Sequence, residues 1–342
     1  MTTILITGGA GFIGVHAARH FQKRGFTVTV LDNLSRKGAA ENLEWLNKTC
    51  RTDFVRADIR DRDAVERIVG EIRPDALLHL AAQVAVTTSV AEPRLDFDTN
   101  ALGTFNVLEA VRRQSPETFF INASTNKVYG RMEDLGVVER NDRYEYADLA
   151  GGVAEERPLD FHSPYGCSKG VADQYTIDYS RIYGLKTVTF RQSCIYGTRQ
   201  FGVEDQGWVA WFTIASVLGK PITIYGDGKQ IRDVLHVGDL VAAYEAAFGR
   251  RDRASGQAFN IGGGPANTMS LRELIAQLEQ MLAKKIPLKW GDWRPGDQPV
   301  FVCDVRKAEK LLGWRPAVAV RDGVGELIAW ARDNRQLFDI LK

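Results

Sequence analysis

Tyr165 and Lys169 stand four residues apart in Ser163-Pro164-Tyr165-Gly166-Cys167-Ser168-Lys169. Pro164 suits the first turn of a helix, and the pattern continues as a helix through Tyr183. Positions i and i+4 share a helix face, so the phenol and the ammonium project together. A phenol with a pKa near ~10 is a poor base at neutral pH, but a neighbouring positive charge favours the phenolate. Tyr165 can then take a hydroxyl proton or return it. The spacing alone arises often by chance and marks no more than a surface pair, so its company decides the reading.

Part of that company is Asn122-Ala123-Ser124-Thr125-Asn126-Lys127-Val128-Tyr129-Gly130, which follows an apolar run. It falls at the carboxyl end of a strand, where ligands bind in parallel sheets. Thr125 is placed there to hydrogen-bond the reacting oxygen beside Tyr165. Capping the next turn is the plainer use of Ser124 and Thr125.

The rest is Thr7-Gly8-Gly9-Ala10-Gly11-Phe12-Ile13-Gly14, between a short apolar run and a helical pattern. Gly8, Gly11 and Gly14 allow a tight turn, close approach to a pyrophosphate and close helix–strand packing. The helix that follows offers free N–H groups to phosphates. Asp32 ends the second strand, where a carboxylate can accept from adenosine ribose hydroxyls and repel a 2′-phosphate. That favours NAD over NADP, with Arg36 nearby as the contrary sign. A glycine-rich turn with no ligand is what the loop alone would mean.

The elements that must position these groups alternate. Ile4–Thr7, Thr27–Leu31, Asp53–Arg56, Ala76–Ala81 and Thr118–Ala123 read as strands. Gly14–Arg24, Arg62–Ile72 and about Ala101–Arg113 read as helices between them. The fold class is therefore α/β, a Rossmann-type doubly wound parallel sheet. Later, Val188–Phe190 and Ala258–Ile261 are candidate strands and Ser270–Lys284 a helix, among Gly- and aromatic-rich loops at Tyr196–Gly207, Tyr225–Arg232 and Trp290–Gln298. Residues 1–187 are read as the dinucleotide-binding domain. Residues 188–342 are read mainly as a smaller, partly interleaved substrate lobe, with segments returning to the sheet.

Composition bounds the partners. Forty-four Lys and Arg balance 43 Asp and Glu, which argues against capture of nucleic acid or an anionic membrane. Cys50, Cys167, Cys194 and Cys303 form no CxxC pair, so no metal site is expected and a reducing compartment fits. The first residues carry no basic segment ahead of a long apolar run, and no apolar run approaches the ~18 residues of a membrane span. A cytoplasmic protein is expected.

Together, Thr7–Gly14, Asp32, Asp58, Leu80-Ala81-Ala82, Ser124–Gly130, Tyr165 with Lys169, and Arg232-Asp233 resemble the extended short-chain dehydrogenase/reductase family of sugar-nucleotide epimerases and dehydratases. The segments Asp32–Gly38, Leu159–Lys169, Asp205–Trp208 and the insert Arg131–Arg157 are most similar to its branch of CDP-hexose 2-epimerases. Dehydratases of this family carry Asp-Glu after the catalytic threonine, where this chain has Asn126 and Lys127. The resemblance implies a catalytic set of Thr125, Tyr165 and Lys169. It implies NAD contacts from Gly8, Gly11, Phe12, Ile13, Gly14, Asp32, Asn33, Ser35, Arg36, Asp58, Ile59, Leu80, Ala81, Ala82, Gln83 and Ser124. Substrate contacts follow from Thr125, Gln192, Ser193, Gln206, Trp208, Arg232, Arg294 and Asp297, with Trp211 as a further wall. Arginine suits a sugar diphosphate because its fork pairs with phosphate oxygens. Asn100 orders backbone between strand and helix.

The implied function is NAD-dependent epimerisation at carbon 2 of a nucleotide-activated hexose, through a transient 2-keto sugar, by a homodimer. A sugar-nucleotide 4-epimerase or net dehydrogenase uses the same pair. A non-catalytic NAD-sensing protein is the rival from another class, and an intact Tyr165 and Lys169 speak against it.

Overall fold

The computed structural model describes residues 2–293 and 298–341. Seven parallel strands form the central sheet: β1 Thr3–Thr7, β2 Thr27–Asp32, β3 Asp53–Arg56, β4 Ala76–His79, β5 Phe119–Thr125, β6 Thr187–Gln192 and β7 Gln257–Ile261. Their order is β3-β2-β1-β4-β5-β6-β7. The order reverses between β1 and β4, and the crevice above that switch point is where such sheets take ligands.

Helices cover both faces, so alternate residues of one strand enter different cores. Ile4 and Ile6 of β1 pack with Val15, Ala18 and Phe21 of α1 (Phe12–Lys23). Leu5 turns to the opposite face. There it meets Val65, Ile68 and Val69 of α3 (Arg62–Ile72) and Val107, Leu108 and Val111 of α4 (Gly103–Gln114). Between β2 and β3 lies α2 (Ala39–Thr49), and after β5 comes α5 (Ser163–Tyr183). The first face is closed by Leu240, Val241 and Tyr244 of the helix Val237–Gly249.

A second core belongs to the smaller lobe. The helix Trp208–Leu218 packs with Leu274, Ile275 and Leu278 of the helix Leu271–Leu282 and with Val324, Leu327 and Ile328 of the helix Val320–Asp333. The strand Ile231–His236 joins the halves, pairing with Cys194–Tyr196, Thr268–Ser270 and Val300–Phe301. Because β6 and β7 lie in the main sheet, the chain enters the smaller lobe, returns, and leaves again. The insert carries a hairpin, Val137–Arg140 with Arg143–Tyr146.

Candidate active site

The first contact of the site is backbone on backbone. Gly8 has φ +68°, and a Cβ there would stand 2.6 Å from the Ala81 nitrogen. A Cβ on Gly14 would stand 2.3 Å from the Gly8 carbonyl oxygen. These glycines hold the end of β1 against both the end of β4 and the start of α1. No side chain caps α1, so its first turn keeps its N–H groups for a ligand. Asp32 sets the loop: Oδ2 accepts from Ala10 N at 3.1 Å and Oδ1 from Leu34 N at 2.8 Å. Burial pushes its pKa up, opposed by those N–H groups.

A cleft of about 1340 Å³, counted to its open mouth, runs from this loop to the tyrosine–lysine pair. Gly8, Gly11, Phe12, Ile13, Gly14, Asp32, Asn33, Ser35, Arg36, Asp58, Ile59, Leu80, Ala81, Ala82, Ser124, Tyr165 and Lys169 all line it. At one end Asn33 Nδ2 donates to Asp58 at 2.9 Å, and the Arg60 guanidinium holds the Asp58 carboxyl far below its ordinary range. At the other end Ser124 Oγ is buried with no hydrogen-bond partner. An uncapped helix start, a ribose-height carboxylate and an unmatched hydroxyl along one cleft fit a dinucleotide.

Tyr165 sits in the first turn of α5 and is 8% exposed. Burial pushes the phenol up to about 12, while hydrogen bonding with Thr125 and the Arg36 charge pull it down. Lys169 is 3% exposed, and its Nζ donates to the Ala123 carbonyl at 2.6 Å. Burial lowers its ammonium to about 8 against the opposing pull of Asp173 and Asp96. Thr125 ends β5, directly across from Gln192 on β6. Its Oγ1 also accepts from Lys127 N at 3.3 Å, so it caps the next turn and faces the phenol at once.

Other expected contacts divide. Gln192 lines the cleft with Nε2 donating to the Tyr244 hydroxyl at 2.7 Å, and Gln206 lines it as well. Gln83 does not line it: its side-chain amide donates to Ala85 O and Asp96, and its backbone exchanges hydrogen bonds with the Asn100 side chain. Ser193 is committed to Asp233 through its hydroxyl. Arg232, 8% exposed, lies on the strand Ile231–His236 with a guanidinium N–H donating to the Ile231 carbonyl at 2.8 Å, and Trp208 packs on Phe212 in the smaller lobe. Trp211 packs at the edge of that core. Arg294 and Asp297 lie outside the described residues. Lys127 Nζ donates to Gln298 at 3.4 Å, and Asn126 Oδ1 accepts from Thr125. Neither supplies the carboxyl group of a dehydratase.

Sequence reasoning missed the strap Arg199–Gly202, which crosses from the smaller lobe to line the cleft. Asn42 Nδ2 donates to the Arg199 carbonyl at 3.2 Å, the Arg199 guanidinium lies 4.8 Å over Trp45, and Phe201 packs on Gly38. Its only sequence signal was an arginine and a phenylalanine inside a glycine-rich loop.

The sequence pattern of the GDP-mannose 4,6 dehydratase family matches residues 5–327. The chain belongs to that family. CDP-paratose 2-epimerase of Salmonella typhi is 46% identical over 332 residues, 96% of this chain and 98% of that one. UDP-glucose 4-epimerase of Thermotoga maritima, solved with UDP-glucose, superposes with a TM-score of 0.84 at 32% identity, covering 98% of this chain and 100% of the other. UDP-glucose 4-epimerase of Thermus thermophilus, solved with NAD, gives 0.81 at 33% identity, covering 97% and 100%. Family members thus share this fold while acting on different carbons of the sugar, so the family fixes the scaffold and the site must fix the reaction.

Proposed function

We propose that the protein inverts carbon 2 of a CDP-linked hexose, converting CDP-paratose to CDP-tyvelose with bound NAD. The observation that carries this is the buried Tyr165–Lys169 pair beside Thr125 in a dinucleotide-fitting cleft that lacks the dehydratase carboxyls. The 46% identity to a CDP-paratose 2-epimerase supports carbon 2 and cytidine over the 4-epimerase alternative.

The residues divide the work. The first turn of α1 and the loop Gly8–Gly14 receive the pyrophosphate, Asp32 the ribose, and Asn33 with Asp58 the adenosine end. When bound, NAD supplies the hydride acceptor for carbon 2 and a positive ring that opposes the burial penalty on the phenolate. Tyr165 Oη takes the proton from the carbon 2 hydroxyl and later returns it. Thr125 Oγ1 hydrogen-bonds the same oxygen and keeps it aligned with the phenol. Lys169, fixed by Ala123 O, holds positive charge below the phenol. Gln192 and Gln206 contact the sugar, while Arg232, Arg294 and Asp297 grip the substrate nucleotide, the arginines through its phosphates. The anchored nucleotide lets the 2-keto sugar turn over in place without leaving.

We also propose a homodimer that works in the cytoplasm. Leu102 and Phe105 beside Tyr175, Ile182 and Tyr183 leave an apolar face across α4 and α5, fit for the same face of a second copy. Four free cysteines suit a reducing compartment. Among the described residues no helix is long and apolar enough to cross a membrane.

The test is incubation of purified protein, without added cofactor, with CDP-paratose or UDP-glucose. CDP-tyvelose formation without NADH release is expected from the first. Conversion of UDP-glucose alone would support the 4-epimerase, and product that forms only when NAD is added, with one NADH per product, a net dehydrogenase.

A further inference from the structure

Behind the tyrosine–lysine pair lies a carboxylate that does not line the cleft. Asp96, in the short helix Pro93–Phe97, is 0% exposed. Its Oδ1 accepts from Gln83 Nε2 at 2.8 Å and Asn100 Nδ2 at 3.1 Å. Its Oδ2 accepts from Ser168 Oγ at 2.5 Å, and Ser168 in turn accepts from Asn100 Nδ2 at 3.2 Å. Asn100 is itself locked to the backbone of Gln83, donating to its carbonyl and accepting from its N–H, each at 2.9 Å. Three side chains therefore fix one buried carboxylate against α5, at the residue between Tyr165 and Lys169.

The other buried carboxylate facing Lys169 is Asp173, and Arg191 matches it at 3.0 Å. No described arginine or lysine forms an ion pair with Asp96. Its hydrogen bonds come from the neutral side chains of Gln83, Asn100 and Ser168, so this carboxyl group is buried without a matching cation among the described residues. Its hydrogen bond from Ser168 sets it against the turn of α5 that carries Tyr165 and Lys169, where a negative charge opposes ionisation of the phenol and favours the ammonium. We infer that Asp96 is a positioning residue for the proposed reaction, gripping α5 through Ser168 and setting the protonation of Tyr165 and Lys169. The inference rests on the reaction assigned to that pair above.

The sign is fixed by charge. A carboxylate behind the pair holds the proton on Lys169 Nζ against burial, and holds the proton on Tyr165 Oη until positive charge enters the cleft. The other titratable groups facing the pair are Asp173 on α5, His79 at the end of β4 and Arg36 before α2. Asp96→Asn leaves all of these in place. Its amide can accept from Gln83 and Asn100 and donate to Ser168, so the network survives while the charge goes.

The measurement is the pH profile of kcat/KM for wild type, Asp96→Asn and Ser168→Ala, with melting temperature and bound NAD measured on each. Both limbs are expected to move to lower pH in Asp96→Asn, by about one unit. Ser168→Ala, which keeps the charge but loosens it, should move them less and in the same direction. A native-like Asp96→Asn with an unmoved profile overturns the inference, since a merely structural residue changes stability and not the limbs. Should Asp96→Asn fail to fold, an unmoved profile in Ser168→Ala overturns it instead. If wild type turns over no sugar nucleotide, the reaction above falls on its own. Titration of phenolate absorbance, with Tyr165→Phe subtracted, then still reads Asp96: a lower midpoint in Asp96→Asn supports its role and an unmoved one removes it.

Discussion

Removing the Tyr165 hydroxyl takes away one proton carrier and little packing. Tyr165→Phe should lower kcat by about 10²–10⁴-fold with bound NAD retained, measured by initial rates and by NAD released on denaturation. Lys169 makes a sharper prediction, because its ammonium sits at about 8 in the folded chain against an ordinary 10.5. Folding disfavours the ammonium, so the penalty is complete below pH 8 and lifts as pH rises from 8 to 10.5. Lys169→Met should therefore abolish turnover yet unfold at higher denaturant at pH 7. The gain is about 1–2 kcal/mol after the lost bond to Ala123 O, and should shrink through that window. A constant gap, or a loss at pH 7, would mean the ammonium is better satisfied than its surroundings imply. Gly8, Gly11, Gly14, Asp32, Tyr165 and Lys169 were legible at this scale because phosphate, ribose and phenol chemistry each demand a residue type at a fixed place, whereas the other expected residues that line the cleft came only from the family resemblance. Gln83 and Ser193 make internal hydrogen bonds to Asp96 and Asp233, and nothing in the identity of a glutamine or a serine announces such a bond in the sequence.

Between elements, the turn from β1 to α1 tolerates no added carbon. Gly14→Ala should yield protein without bound NAD and with lower stability, since the new methyl would meet the Gly8 carbonyl. Ser270→Ala offers the contrast. Ser270 and Glu273 form a capping box on the helix Leu271–Leu282, so its loss should cost about 1 kcal/mol by denaturant unfolding and leave kcat unchanged. The amphipathic helices and branched strands of the first half were readable from their periods. Arg62–Ile72 and Asp53–Arg56 fall where the pattern puts them. The helix Trp208–Leu218 and the helix Val237–Gly249 were not, because each is buried on nearly every side and so has no polar face to mark its period. The approach to α4 hid a different feature: Asp98–Leu102 is a π-helical turn that carries Asn100 onto Gln83, a distortion no propensity announces.

For the whole molecule, doubly wound topology places the ends of β1, β4, β5 and β6 around one crevice, and β6 brings Gln192 opposite Thr125. That convergence of distant segments is invisible to local pattern and became readable only through family resemblance. The proposed dimer belongs to this scale: Ile182→Glu, on the exposed face of α5, should give a monomer by light scattering with the cleft intact. A dimer surviving it would place the contact elsewhere. The central claim is that hydrogen leaves carbon 2 and returns to it inside one cleft. The measurement is NMR of the product formed from CDP-paratose carrying deuterium at carbon 2, in ordinary water and without added cofactor. CDP-tyvelose that keeps its deuterium at carbon 2 is the predicted result. Product with solvent hydrogen there, or a sugar changed at any other carbon, would contradict it.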